Sequence, residues 1–293
     1  MRTTSITVAL CALLAATGSA AAQGIVYAHD LRFSAEANLF SFPVNDPLAQ
    51  TQIGPVGGLN YSTYAMDFNT AGTALWAIDH LPGANATRLG TIDTNTGIFA
   101  ATANLTGAGF DTAGTTPTGL SVDPTDETIY VSKTSELFTV NPATGVATSV
   151  GAFAAVTGAP IGTVIDIAID NFGQMYAHVL GSTAGVGGTL WSVDKTTGVA
   201  SLVGASGIIT NFAQGMDFDP TTNILYAALY TSGGNGSYGT WDTTNGSWTE
   251  ILPLISFPDP TPNGRELEIA IRVPEPTSLG LLALAGLGLL RRR

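Results

Sequence analysis

The chain has 293 residues and is acidic, with 22 Asp and Glu against ten Lys and Arg and a formal net charge of −12 at pH 7. Such a charge repels nucleic acid and anionic lipid head groups, so neither is expected as a partner of the protein body. Cys11 is the only cysteine. It lies in a segment that we expect to be removed, which excludes disulfides, thiolate catalysis and cysteine-ligated metals from the mature chain.

The first 22 residues are typical of a secretory signal peptide. Arg2 provides the positive start, residues 6–16 form an uncharged apolar run, and Ala20-Ala21-Ala22 offers small residues before a cleavage point at Gln23. The alternative is a membrane anchor, but the apolar run is too short to span a bilayer. We therefore expect residues 1–22 to form a short apolar helix that is removed on export.

Two short patterns alternate through the middle of the chain. The first is an apolar strand that ends in Asp or Asn, followed by a turn and an apolar–aromatic pair. It occurs in residues 65–77, 120–131, 167–177 and 216–227. The second is an alternating strand that ends in Asp or Asn, followed by a polar turn, a glycine and another strand. It occurs around residues 89–97, 137–145, 190–198 and 238–246.

These patterns repeat with a period of about 50 residues, which is typical of a β-propeller with four short strands in each blade. The glycines of the second pattern, Gly97, Gly145, Gly198 and Gly246, follow one another at intervals of 48, 53 and 48 residues. The alternative is a β-sandwich in which the repeats are fortuitous. No residue signature identifies one particular propeller family.

The two ends of the repeat region complete each other. Residues 25–28 match the second strand of the repeat and residues 38–42 match the third, so the opening copy lacks a first strand. Residues 268–272 match a first strand and align with residues 166–170. We therefore predict an all-β, five-bladed β-propeller over residues 23–273. Each blade has four antiparallel strands, and the C-terminal strand closes the ring and removes exposed sheet edges.

The Asp-rich turns between these strands resemble the start of a calcium loop, as in Asp93-Thr94-Asn95-Thr96-Gly97. The bidentate Glu that such a loop needs is missing downstream of every copy. We predict structural turns instead, in which Asp or Asn accepts nearby backbone N–H groups and Gly takes a positive φ. In a propeller, both Asp-rich turns of a blade lie on the same face.

The opposite face is predicted to carry the loops of residues 29–37, 80–88, 132–135, 178–188 and 230–237, which differ in length and content. Variable loops on a rigid scaffold are the usual place for function. His29, His80 and His178 lie where a second strand enters this face, so we predict them at the rim of a ligand site near the axis. Three histidines could also hold a metal. The alternative is three separate strand-end histidines bonded to backbone or solvent.

The sequence shows no catalytic constellation. It contains no G-x-S-x-G elbow, and no pair of carboxylates stands out from the turn acids. Residues 181–188 and 233–239 are glycine-rich, but no helix follows them as a phosphate site would require. We therefore assign no catalytic residue, no metal and no cofactor.

The last 20 residues consist of three ordered parts. Pro274-Glu275-Pro276 comes first, residues 277–290 are apolar, and Arg291-Arg292-Arg293 ends the chain. This tail resembles the PEP-CTERM sorting signal of Gram-negative bacteria that make extracellular polysaccharide. The resemblance implies processing by an exosortase-type membrane enzyme, with the Pro-Glu-Pro element recognised and the three arginines held in the cytoplasm.

The apolar part of the tail is short for a membrane span. About 13 residues at 1.5 Å each give roughly 20 Å, against a bilayer core of about 30 Å. We expect a short helix that anchors the chain transiently in the inner membrane, and residues 274–293 to be the only membrane-associated segment.

These observations favour an exported, surface- or matrix-associated, non-enzymatic protein of the cell envelope or extracellular matrix. Extracellular polysaccharide or another surface protein would be its partner, or its role would be structural. The alternative is an extracellular propeller hydrolase or lactonase-like enzyme with a metal on the variable-loop face. Fold alone does not decide between them.

Overall fold

The computed structural model describes residues 23–30, 37–56, 62–81, 86–107, 109–110, 116–181, 187–212, 215–232, 235–253 and 267–273. Residues 24–273 form one compact unit. The predicted signal peptide, the predicted helix at each end and the sorting residues of the tail lie outside the described residues. Within the described ranges, no helix is long and apolar enough to cross a membrane.

The described strands form five sheets, which are the five predicted blades. Blade 1 contains β1 (Ile25–Asp30), β2 (Ala37–Pro43), β3 (Thr51–Val56) and β21 (Leu267–Arg272), and blade 2 contains β4 (Ser62–Phe68), β5 (Leu75–Leu81), β6 (Ala86–Ile92) and β7 (Phe99–Asn104). Blade 3 contains β8 (Pro117–Val122), β9 (Ile129–Lys133), β10 (Glu136–Val140) and β11 (Ala147–Ala152). Blade 4 contains β12 (Ala154–Ala155), β13 (Val164–Ile169), β14 (Met175–Val179), β15 (Thr189–Val193) and β16 (Val199–Ala205). Blade 5 contains β17 (Gly215–Phe218), β18 (Leu225–Ser232), β19 (Asn235–Trp241) and β20 (Trp248–Pro253).

Each blade has four antiparallel strands, as predicted, and blade 4 has one addition. The short strand β12 pairs in parallel with β16 at the outer edge of that blade. The first strands, β21, β4, β8, β13 and β17, form the inner ring, and each contacts the first strands of both neighbouring blades.

The ring is closed by the C-terminal strand. β21 pairs antiparallel with β1, with Val26 opposite Ile271 and Ala28 opposite Ile269. The last strand of the described body thus supplies the inner strand that the opening blade lacks, which confirms the predicted closure.

The hydrophobic core is divided among the five junctions between blades. Each of the five buried clusters combines residues of two neighbouring blades. At the junction of blades 5 and 1, the Phe42 and Tyr238 rings meet edge to face at 5.4 Å. The Tyr238 hydroxyl donates to the Val44 carbonyl at 3.0 Å. The side chains of one blade therefore complete the core of the next, and among the described residues every buried cluster is shared by two blades.

The turns between third and fourth strands have the predicted structural role. Oδ1 of Asp93 accepts the N–H of Asn95 at 2.7 Å, and Oδ1 of Asp242 accepts the N–H of Thr244 at 2.8 Å. Gly97 and Gly246, which end these turns, have φ of 77° and 72°, a region that favours glycine.

We expect a chain that ends at residue 266 to be far less stable than one that ends at Val273. The shorter chain leaves the sites of Leu267, Ile269 and Ile271 empty, and all three side chains are buried. Burial of each contributes about 1.5–3 kcal/mol. The loss should therefore exceed about 5 kcal/mol, a large part of the roughly 5–15 kcal/mol typical of a folded protein. Thermal and urea unfolding of the two chains measure this difference in the free energy of unfolding. Equal stability of the two chains would contradict closure of the ring by β21.

Candidate functional site at the propeller axis

Four acidic side chains lie on the inner strands: Asp67 on β4, Asp166 on β13, Asp217 on β17 and Glu268 on β21. We call them the axial carboxyls. Asp67 and Asp217 occupy one position of the repeat, and Asp166 and Glu268 occupy the position two residues earlier. All four are at most 7 % exposed. They come from four different blades and are brought together only by ring formation.

Each axial carboxyl accepts a backbone N–H from the inner strand of the next blade. Oδ2 of Asp67 accepts from Val122 at 2.7 Å, Oδ2 of Asp166 from Met216 at 2.6 Å, Oδ2 of Asp217 from Ile271 at 2.6 Å, and Oε1 of Glu268 from Met66 at 3.4 Å. In the described residues, four of the five blade junctions have such a bond. The axial carboxyls therefore link the inner strands to one another.

The junction of blades 3 and 4 is built differently, because blade 3 has Gly119 and Ser121 at the two acidic positions. A Cβ on Gly119 would lie 2.4 Å from Oδ1 and 2.9 Å from Cα of Asp166, so glycine leaves the space that Asp166 occupies. Near the Asp-rich turns, Lys195 of blade 4 forms an ion pair with the buried carboxylate of Asp123 in blade 3. This pair joins the two blades where no axial carboxyl does.

Burial favours the neutral form of the axial carboxyls. Burial raises the pKa of Asp67 to about 7. It raises the pKa values of Asp166, Asp217 and Glu268 well above the ordinary range, with repulsion among the four groups adding to the effect. The backbone N–H bonds act in the opposite direction but are outweighed. A protonated carboxyl still accepts the N–H of the neighbouring strand through its free oxygen.

A cavity of about 350 Å³ opens at the axis on the face of the Asp-rich turns. Asp67 and Asp217 are the two axial carboxyls that line it. Its other lining residues come from the inner-strand ends and first turns of all five blades and include Phe68, Pro124, Asn171, Pro220 and Arg272. This face is the one opposite the variable loops.

The predicted histidines lie at the ends of second strands, His29 on β1, His80 on β5 and His178 on β14, and all three are buried. The His178 ring packs at 5.5 Å from the Trp241 ring of blade 5, and burial lowers the pKa of His178 to about 3. Nδ1 of His80 lies 2.8 Å from Oγ1 of Thr87 in its own blade. Among the described residues, no group of three or more His, Cys, Asp or Glu could hold a metal. The structure thus places these histidines within the blades, and their place at a ligand rim stays a prediction.

Sequence reasoning missed the axial carboxyls. The acids are spread over 202 residues, and Asp67 and Asp217 each precede a turn residue by two positions, so they resembled part of the turn pattern. A signal was nevertheless present. An acid within a strand whose other side chains are apolar must be paired or protonated if that strand is buried.

Comparison with known proteins identifies the tail. The PEP-CTERM protein-sorting motif matches residues 272–293. The motif implies a secreted or cell-surface protein that an exosortase processes and sorts. No curated protein sequence matches the chain.

Solved structures similar to the chain include TolB from Acinetobacter baumannii, with 12% identity, a TM-score of 0.49, and coverage of 86% of this chain and 67% of TolB. Hydrazine synthase of Kuenenia stuttgartiensis has 10% identity, a TM-score of 0.41, and coverage of 70% and 57%. A gluconolactonase-like protein has 13% identity, a TM-score of 0.45, and coverage of 83% and 81%.

We expect Gly119→Ala to destabilise the protein by about 1–3 kcal/mol, because the added Cβ would overlap Asp166. Ala65 provides a matched control, since it occupies the same repeat position in blade 2. Ala65→Gly should cost about 1–2 kcal/mol through backbone entropy and the loss of one buried methyl group. Urea unfolding compares the two variants, and a Gly119→Ala loss no larger than that of the control would show that the blade 3–4 junction is not tightly packed.

Proposed function

We propose that the chain is an exported, surface- or matrix-associated β-propeller without enzymatic activity. It binds a glycan or another protein of the envelope, or has a structural role there, and it reaches its place through its tail. The PEP-CTERM motif at residues 272–293 is the observation that supports this most directly. The motif begins at the end of the closing strand β21, so the folded body and the sorting signal are joined without a linker.

The use of the axial carboxyls also supports a non-enzymatic role. General acid–base or metal chemistry needs carboxyls that can reach a substrate or an ion. Asp166 and Glu268 are each 1 % exposed and accept N–H groups of neighbouring blades. Their arrangement suits a scaffold whose inner strands must be held together.

We place the ligand site on the variable-loop face, with His29, His80 and His178 nearest its rim. The histidines lie at the ends of second strands, from which the loops of this face begin. Extracellular polysaccharide and surface proteins are the partners that fit an exported acidic body. The host is a Gram-negative bacterium, and the tail anchors the chain in the inner membrane only until it is processed.

We expect deletion of residues 274–293 to release the body into the medium of a host that has an exosortase. Glu275→Ala, which keeps the apolar stretch and the arginines, should instead leave the protein unprocessed in the membrane fraction, because only the recognition element is changed. Fractionation and immunoblotting distinguish the two variants. Envelope association of the deleted chain equal to that of the wild type would refute sorting through the tail.

We expect no stoichiometric calcium or zinc in the full chain after purification without chelators. Elemental analysis by mass spectrometry measures it, with His29→Gln/His178→Gln as the comparison variant. One metal per chain that this variant loses would favour the alternative, an extracellular hydrolase or lactonase-like enzyme with a metal on the variable-loop face.

A further inference from the structure

We infer that closure of the ring by β21 is linked to protons: the protonated axial carboxyls hold the inner strands together, and loss of these protons at alkaline pH releases β21. The basis is geometric. Four acids from four blades lie on neighbouring inner strands, and each reaches across a junction to a backbone N–H of the next blade. Ionisation of the axial carboxyls would place like charges close together in the buried centre of the ring. The resulting repulsion would act on the same inner strands that these carboxyls link.

Among the described residues, no axial carboxyl forms an ion pair with a Lys or Arg side chain, although Arg272 lines the same cavity as Asp67 and Asp217. β8 contributes Gly119 and Ser121, which carry no charge. The titratable groups that face the cluster from the packed strands are His29 opposite Glu268, His178 opposite Asp166, and Tyr226 opposite Asp217. Glu127, from the turn after β8, adds a negative charge that acts on Asp67. Arg272 lies at the end of β21, with its guanidinium 5.2 Å and 5.8 Å from the centres of the Tyr27 and Phe68 rings.

One oxygen in the cluster is left without a partner. Oε2 of Glu268 is buried and accepts no hydrogen bond, while Oε1 accepts the N–H of Met66. An ionised carboxylate in this position would have an unsatisfied charged oxygen, whereas a protonated carboxyl bears a hydrogen there and is neutral. Glu268 therefore needs its proton most, and it lies on the closing strand.

β21 is the inner strand that repulsion would displace first. The inner strands of blades 2 to 5 each continue through a short turn into the second strand of the same blade. No short turn joins β21 to its neighbour β1, because the two strands lie at opposite ends of the body and meet through strand pairing and side-chain contacts. It also takes part in two axial bonds, through the carboxyl of Glu268 and through the N–H of Ile271.

The direction of the pH effect follows from the raised pKa values. The folded protein keeps protons that the unfolded chain loses near pH 4, so the stabilisation is full below that pH and is lost as the pH rises through about 7 and beyond. His178 acts in the opposite sense, because its folded pKa of about 3 favours folding as the pH rises toward 6.5. Between pH 7 and 9 its contribution is constant, so a change in stability over this range does not come from His178.

The first experiment is urea unfolding of the full chain at pH 7, 8 and 9 with EDTA at constant ionic strength. The unfolding equilibrium constant should rise up to about tenfold per pH unit for each carboxyl protonated only in the folded state. The double variant Asp166→Asn/Glu268→Gln keeps the oxygens that accept the N–H groups of Met216 and Met66, but its amides cannot ionise. Its unfolding equilibrium constant should therefore rise less with pH than that of the wild type. Asp166→Asn alone serves if the double variant does not fold. Asp242→Asn, at an exposed turn, should keep the wild-type slope.

The second experiment locates the opening by thiol labelling of full-chain Cys11→Ser variants. Ala270→Cys places a thiol on β21 and Ala177→Cys places one on β14, and both alanines are fully buried. Because alkaline pH makes both thiols more reactive, the ratio of the two labelling rates is the readout. We expect the rate at position 270 to rise at least about tenfold relative to position 177 between pH 7 and 9, in line with the titration of at least one carboxyl.

Three results would overturn the inference. The first is an equal pH dependence of unfolding in the wild type and the amide variants. The second is a labelling ratio that does not change with pH. The third is loss of the pH dependence when calcium chloride replaces EDTA, since a cation and not protons would then neutralise the axial carboxyls.

Discussion

The contact between neighbouring inner strands is the constraint on which the rest of the structure depends. In the part of the chain that the structure describes, each buried cluster combines side chains of two blades, so the blades share their cores. A blade is therefore stable only between its two neighbours, and the ring is stable only when all five junctions are made. The axial carboxyls act at these junctions, where the backbone of one inner strand has N–H groups that its own sheet does not use. A buried N–H without a partner would cost roughly 1–3 kcal/mol, so each carboxyl satisfies a need that the ring itself creates.

The choice of acids for this task has an electrostatic consequence. Amides would accept the same N–H groups without charge, whereas buried acids that do so become costly when they ionise. Acids on the surface such as Asp194 and Asp242 do not have raised pKa values. The pKa values of these turn carboxylates are lowered by their bonds to neighbouring hydroxyl and N–H groups. The pKa of the same residue type is thus lowered at the turns and raised at the axis. The difference lies in burial, which depends on the ring and not on the local sequence.

The closing strand β21 connects the propeller body to the PEP-CTERM motif. β21 completes blade 1, contributes Glu268 to the axial carboxyls, and leads directly into the PEP-CTERM motif at residues 272–293. The sorting motif therefore begins at Arg272, the last residue of β21. The stability of the ring determines whether the strand that precedes the tail stays folded. Closure of the ring requires this last strand, since the inner strand of the opening blade lies near the C-terminus of the body.

The sequence by itself determined the number of blades, the closure of the ring and the identity of the tail, because each rests on local patterns. Strand alternation, Asp–Gly turns and an ordered three-part tail are fixed by residues close together in the chain. The pairing of Ile25–Asp30 with Leu267–Arg272 could also be predicted, since the missing first strand had one match. Only the tertiary structure decided the axial carboxyls, the role of Gly119 and the burial of the three histidines. Asp67 and Glu268 are remote in sequence, and they meet because the ring brings their strands side by side. Which acids become buried, with raised pKa values, is therefore a property of the closed ring, and no local pattern encodes it.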